Sequence, residues 1–183
     1  KKFSNKTALD NVSFAIQPGR IIGLLGPNGS GKSTSIKMIN GLLQPDSGQV
    51  LIKGNTPSIE SKKIISYLPE RTYLNDWMTV SQILSFFEDF YEDFDSNRAK
   101  EMLTSLGIDE NAKLKTLSKG TKEKVQLILV MSRKAELYVL DEPIGGVDPA
   151  ARDYILSTII QNYSESSSIL ISTHLIQDVE KIL

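Results

Sequence analysis

The chain has 183 residues, of which 21 are Lys or Arg, 22 are Asp or Glu, one is His and none is Cys. That length holds one domain with a substantial core, and 40% hydrophobic with 23% charged residues is ordinary globular usage, which excludes a disordered polymer or a fibrous repeat. A formal net charge of −1 excludes a global basic field for nucleic acid, and zero Cys excludes disulfides, thiolate metal sites and a cysteine nucleophile.

No apolar run approaches the roughly 18 to 20 residues that cross a bilayer, so any work at a membrane is expected beside it. The chain starts at Lys1 rather than Met and stops at Leu183 inside an amphipathic pattern, so a single domain over 1–183, trimmed at both ends, is expected.

Val12, Phe14 and Ile16 alternate with polar or small neighbours and predict a strand. After Pro18-Gly19, the continuous apolar run Ile21 to Leu25 predicts a second strand, buried on both faces. A glycine-rich loop follows, then a helix over Lys32 to Asn40 with Ile36 and Ile39 inward and Gly41 as its stop. Further strands are predicted at Gln49 to Lys53 and Ile64 to Leu68.

From Thr79 the period becomes helical. Thr79 and Gln82 have capping-box spacing, and Val80, Ile83, Leu84 and Phe87 form one apolar face. A second helix is predicted from Asp95 to Leu106 with Gly107 as its left-handed cap, and a third after Ser118 that is apolar nearly all round and therefore buried. Leu137 to Leu140 returns to a strand, and Asp148-Pro149 supplies an N-cap and a first-turn proline to a helix facing inward through Ile155, Leu156, Ile159 and Ile160. Ile169 to Ile171 is another strand, and a last helix starts near Leu175. Strands separated by helices predict a largely parallel sheet, interrupted by a helical insertion at about 75–134. Within that insertion, eight acids from Glu88 to Glu110 stand against Arg98 and Lys100, a pattern consistent with a solvated face or a partner patch.

Gly26-Pro27-Asn28-Gly29-Ser30-Gly31-Lys32-Ser33-Thr34 fits G-x-x-x-x-G-K-[ST] between a buried strand and a helix, the context a phosphate loop requires. Glycines let successive N–H groups turn inward onto phosphate oxygens, and the helix start adds partial positive charge. Lys32 would reach the β- and γ-phosphates, and the Ser33 hydroxyl would ligate Mg²⁺. The strand at Leu137 to Leu140 ends in Asp141-Glu142, where a parallel sheet opens its ligand crevice. Asp141 would hold Mg²⁺, and Glu142 would orient and polarise the attacking water.

Leu117-Ser118-Lys119-Gly120-Thr121, upstream of that acidic pair, resembles the LSGGQ signature of the ATP-binding cassette (ABC) ATPases. Tyr67-Leu-Pro-Glu70 is similar to the Q-loop region of that family, Gly145-Gly-Val-Asp148 to its D-loop, and Ser172-Thr-His174 to its switch-histidine segment, all in family order. The resemblance implies an α/β P-loop NTPase fold with a mainly parallel sheet core, an antiparallel β portion at the N-terminus and a helical subdomain insertion. It implies two cassettes facing head to tail, each ATP clamped between one phosphate loop and the other subunit's Ser118, Lys119, Gly120 and Thr121.

Ser118 stands where it caps a helix, which is compatible with phosphate binding as well. By resemblance, Asp148 helps join the two sites, and His174 hydrogen-bonds the γ-phosphate and holds the attacking-water geometry. Phe3 holds the position that stacks on adenine in the family, a role for which a π face suffices, with simple packing as the alternative. Three residues depart from the family pattern: Glu70 for the usual Gln as a metal contact, Lys119 for the first signature Gly, and Thr121 for the signature Gln. The loop Arg71 to Met78, with Tyr73, Leu74, Trp77 and Met78, lies in the region that faces the membrane subunit in this family, and is expected to be a docking groove or a satellite core.

The resemblance therefore implies an ATP-hydrolysing subunit of a bacterial ABC transporter that uses ATP and Mg²⁺ and pairs with a second ATPase subunit. It would sit peripherally on the cytoplasmic face of the cell membrane and drive a separate membrane protein, export being the expected direction, with no nucleic-acid partner. The alternatives are a non-transport ABC ATPase acting on ribosome or DNA, and an ATP-sensing module with little turnover.

Overall fold

The computed structural model describes residues 1–145, 149–164 and 166–180. A short antiparallel ribbon comes first, β1 (Lys2–Phe3) against β2 (Lys6–Thr7). The centre is a parallel sheet of β3 (Ile21–Leu25), β4 (Ile65–Leu68), β5 (Leu137–Asp141) and β6 (Ser168–Thr173) in the order β3-β6-β5-β4. Pairing Leu25 with Thr173 and Asp141 with Ser172 brings the carboxyl ends of these strands to one edge.

Alternation along the central strands separates two apolar faces. Val139 and Leu170 meet Ile36 and Ile39 of α1 (Lys32–Ile39) on one side. Tyr138, Leu140, Ile169 and Ile171 meet α5 (Lys119–Met131) and α6 (Pro149–Asn162) on the other. Helix α5 is buried nearly all round because it serves two cores: Leu127, Val130 and Met131 lie on the sheet, while Val125, Ile128 and Leu129 face the helical region. That region comprises α3 (Val80–Phe90) and α4 (Ser96–Ser105), followed by a 3-10 turn (Leu114–Thr116). Thr79 and Gln82 form the expected capping box, Asp95 caps α4, Ser118 caps α5, and Gly107 takes φ 63° beyond α4. A short α7 (Ile176–Val179) follows β6. Among the described residues no helix is long and apolar enough to cross a membrane.

Four expectations are corrected. The segment at Val12 to Ile16 is not a strand: Val12 and Phe14 are exposed, and Ile16 packs against the α1-side core without a ladder partner. Gln49 to Lys53 likewise forms no strand and contributes only an Ile52–Asn55 bridge, while Val50 and Ile52 pack against the same core. Alternation secures a buried side there, but a strand also needs a neighbour for its backbone. β3 is an edge of the described sheet and only partly buried rather than covered on both faces. Ile160 points outward at 47% exposure, although Ile155, Leu156 and Ile159 are buried as expected. The sequence reading also missed α2 (Ile59–Ile64), whose Ser58–Ser61 capping box runs directly into β4.

Candidate active site

Each of the four parallel strands delivers one element of the site at its carboxyl end: Gly26 after β3, Glu70 after β4, Glu142 after β5 and His174 after β6. The loop from Gly26 to Gly31 is held in place by Gly26 N–H donating to the Thr173 carbonyl at 3.3 Å. Gly31 is required on two grounds: its φ is 97°, and a Cβ there would lie 2.5 Å from the Ala8 carbonyl oxygen and 2.8 Å from Leu9 Cδ2. The residue that N-caps α1 is this same glycine, so no side chain caps the helix and its first-turn N–H groups lack an intrahelical acceptor.

Lys32 is buried. Its Nζ donates to the Gly26 carbonyl at 2.7 Å and the Pro27 carbonyl at 3.1 Å, and lies 3.4 Å from Glu142 Oε1. Across the sheet end, Ser33 Oγ donates to Asp141 Oδ1 at 3.2 Å. Glu142 has a left-handed backbone, φ 53°, in a non-glycine residue, a conformation that needs support from its surroundings. Its N–H donates to the Ser172 carbonyl at 3.0 Å and to Ser172 Oγ at 3.2 Å. Its Oε2 accepts from His174 Nδ1 at 2.9 Å, which assigns the proton to that ring nitrogen.

Lys32, Ser33, Asp141, Glu142 and His174 therefore meet, although Ser33 and Asp141 are 108 residues apart in the chain. Ser172, named in the sequence only as the start of the switch-histidine segment and given no role there, is a residue of the site. Fully buried on β6, it donates to Asp141 Oδ1 at 2.5 Å while supporting the backbone of Glu142. The available signal was a hydroxyl inside the apolar strand Ser168–Thr173, on the register position facing Asp141.

The donor set fits a triphosphate and a hard divalent cation. Uncapped amides and Lys32 suit phosphate oxygens, and the Ser33 hydroxyl with the Asp141 carboxylate is the small set of oxygen ligands that Mg²⁺ takes alongside phosphate and water. Glu142 Oε1 supports the fit: it is buried without a hydrogen-bond partner and stands beside Lys32.

A cavity of about 700 Å³ opens beside Glu142 and His174 and is also lined by Asn28, Glu70, Lys119 and Lys122. Burial, then the charges of Asp141 and Glu70, raises the Tyr67 phenol to about 12. Ser118, Lys119, Gly120 and Thr121 open α5, where Ser118 Oγ accepts from the Thr121 N–H at 3.2 Å. Phe3 sits on the exposed ribbon with the Lys1 ammonium 5.5 Å from its ring centroid, and that ribbon flanks the phosphate loop, since a Cβ on Gly29 would lie 3.8 Å from Lys6 Nζ. Asp148 lies outside the described residues.

The loop Arg71 to Met78 divides between the two expectations. Met78 is buried and Leu74 packs against the helical core, whereas Tyr73 and Trp77 are exposed, Trp77 at 71%.

The family described as "ABC transporter" matches residues 9–145. The linearmycin resistance ATP-binding protein LnrL of Bacillus subtilis is 34% identical over 188 residues, a match covering 98% of this chain and 60% of LnrL, so the chain spans about three-fifths of that relative's length. The SkfA peptide export ATP-binding protein SkfE of the same organism is 32% identical, over 98% of this chain and 77% of its own. A solved structure described as the ATP binding subunit of an ABC transporter superimposes with a TM-score of 0.85 at 27% identity, covering 98% of this chain and 78% of that one.

Proposed function

The chain belongs to the ABC transporter family, as an ATP-binding domain with the P-loop ATPase fold, and from that membership we propose that it binds MgATP and hydrolyses it to drive a separate membrane protein. What supports hydrolysis above all is the convergence of Lys32, Glu142 and His174 beside the Ser33–Asp141 pair.

In this mechanism the amides from Gly26 to Thr34 and the Lys32 ammonium hold the phosphate oxygens and offset their charge. Ser33 and Asp141, with Glu70 as a further oxygen donor, would hold Mg²⁺, which would supply positive charge to offset that building on the phosphates. Glu142 accepts the proton of a water whose oxygen bonds to the γ-phosphorus as the bond to the ADP oxygen breaks. His174, hydrogen-bonded to Glu142 at 2.9 Å, fixes the direction of that carboxylate, and Ser172 fixes its backbone. Phe3 stacks on adenine. A second cassette supplies its Ser118, Lys119, Gly120 and Thr121 to this ATP, with Asp148 linking the paired sites.

Residues 1–183 act as one ATPase domain in which the helical part, about 75–134, meets the membrane subunit at the cytoplasmic face. The exposed Tyr73 and Trp77, with a shallow cavity of about 370 Å³ between Trp77, Met78 and Phe86, form the docking face. The name of SkfE and the helical part's short span favour export as the direction.

The test is Glu142→Gln, which keeps shape and removes the base. Phosphate release is expected to fall at least ~100-fold while nucleotide binding persists and an ATP-dependent dimer accumulates in light scattering. Unchanged phosphate release would remove Glu142 from the role of base.

A further inference from the structure

The antiparallel ribbon beside the phosphate loop carries a cation that the proposed mechanism does not use. Phe3 of β1 and Lys6 of β2 are direct cross-strand partners, so their side chains leave the same face of the ribbon. That face looks onto the loop: Lys6 Nζ lies 3.8 Å from where a Cβ on Gly29 would stand. We propose that Lys6 is a nucleotide-binding residue whose ammonium contacts the polyphosphate of a nucleoside triphosphate from the exposed side of the loop, while the buried Lys32 holds it from within. The inference rests on the phosphate-binding function proposed above.

Lys6 is carried on a ribbon fastened to the loop rather than on a free arm. The Ala8 and Leu9 N–H groups donate to the Lys1 carbonyl at 2.9 and 3.2 Å, and the Lys1 α-ammonium donates to the Leu9 carbonyl at 2.8 Å, which closes the base of the ribbon. Ala8 and Leu9, directly after β2, are the residues that crowd the Cβ position of Gly31. The ribbon therefore meets the loop at two places, Gly31 through its backbone and Gly29 through Lys6.

Neighbouring cations are already committed. Lys1 Nζ is paired with Asp46 at 2.7 Å, and Lys32 Nζ is engaged by the Gly26 and Pro27 carbonyls. Lys6 is exposed, and its side chain has no ion pair or hydrogen bond among the described residues. Its surroundings also disfavour a cation in the fold itself, because Gly29 is two residues before the N-cap of α1, whose first turn holds no acid. A polyphosphate reverses that balance, since loop amides, helix end, Lys32 and Lys6 then all face one anion. Support of the Phe3 ring does not account for Lys6, because the ammonium set over that ring belongs to Lys1. On this reading one face of the ribbon divides its work, with Phe3 on the base and its cross-strand partner on the phosphates.

The experiment is titration calorimetry of the full chain with MgATP, at low and high salt, for the parent, Lys6→Gln, Lys6→Arg, Phe3→Leu and the double variant Phe3→Leu with Lys6→Gln. Lys6→Gln is expected to weaken binding about threefold to tenfold at low salt, a factor that shrinks in high salt as the screening length falls. Lys6→Arg, which keeps the charge, is expected to stay within about twofold of the parent. The factor lost on Lys6→Gln is expected to be the same when Phe3 is Leu, and the thermal midpoint to be unchanged by Lys6→Gln. Parent-like affinity in Lys6→Gln at low salt would overturn the inference. So would a loss that neither Arg restores nor salt diminishes, because the side chain would then act by shape and not by charge. A Lys6→Gln loss that vanishes once Phe3 is Leu would overturn it as well, by assigning the lysine to the stacking ring. A parent protein that binds no MgATP overturns the proposed function itself, an outcome read before any variant is compared.

Discussion

The strand-end site and the helical region are built in opposite ways. In the helical region the decisive contacts are local: Thr79 with Gln82, Asp95 with Arg98 and Ser118 with Thr121, each three residues apart. At the strand ends they are remote, with Ser33 reaching Asp141 and Lys32 and His174 reaching Glu142. The first kind of contact forms as soon as the helix does, whereas the second exists only when four strands stand in one order. Chemistry that depends on several groups therefore sits in the region whose geometry is set by the whole sheet, and the helical region is left free to present a surface.

The residue that ties the two regions together is Arg133, and its loss is the largest expected break in this contrast. Its guanidinium is buried, holds both oxygens of Asp93 at 2.9 and 3.1 Å, donates to the Ile65 and Lys63 carbonyls beside β4, and lies 3.9 Å from the Tyr91 ring centroid. Arg133→Met leaves Asp93 and two carbonyls without partners and is expected to destabilise by about 3–5 kcal/mol in denaturant unfolding. A change under 1 kcal/mol would mean that the regions are held by apolar packing alone.

Gly31→Ala tests the remote kind of contact next. The added methyl meets the Ala8 carbonyl and Leu9 in a left-handed backbone, so a loss of about 2–4 kcal/mol is expected, with nucleotide binding lost as the loop shifts. Retained binding would show that the loop has slack. Thr79→Ala removes one local cap and is expected to lower stability by about 1 kcal/mol in thermal unfolding with phosphate release unchanged. A fall in turnover would mean that this cap is coupled to the site.

The smallest effect is in pH dependence. The backbone N–H of Arg98, and then Lys134, hold the Asp95 carboxyl below the ordinary carboxylate range. A depressed folded-state value stabilises above the unfolded pKa of about 4 and is lost as pH falls through the folded value. Asp95→Asn, which keeps the cap, is expected to lower stability slightly at neutral pH and to converge on the parent as pH falls below about 4, so that the acid limb flattens in thermal unfolding followed across pH.

Much of this was legible in residue order. The phosphate loop, the Asp141-Glu142 strand end, the inward faces of α3 and α5 and three helix caps each follow from patterns spanning fewer than about a dozen residues. The failures share a cause. Val12 to Ile16 and Gln49 to Lys53 alternate as strands do, yet alternation reports a buried side and says nothing about a neighbour for the backbone. Ile160 continues an apolar run past the arc that α6 presents to the sheet, so it faces solvent. Ser172 stood in the switch-histidine segment with no role of its own assigned, and only its register opposite Asp141 turns a buried hydroxyl into a support for the acidic pair.

Sequence alone determined which segments coil, which extend and where a triphosphate is cradled, because caps, periodicity and a glycine-lined turn act over a few covalent neighbours. Tertiary structure decided that β6 lies between β3 and β5, which brings Ser172 to Asp141 and His174 to Glu142. Strand order depends on burying both faces of a sheet at once, a balance of the whole chain that no local stretch contains.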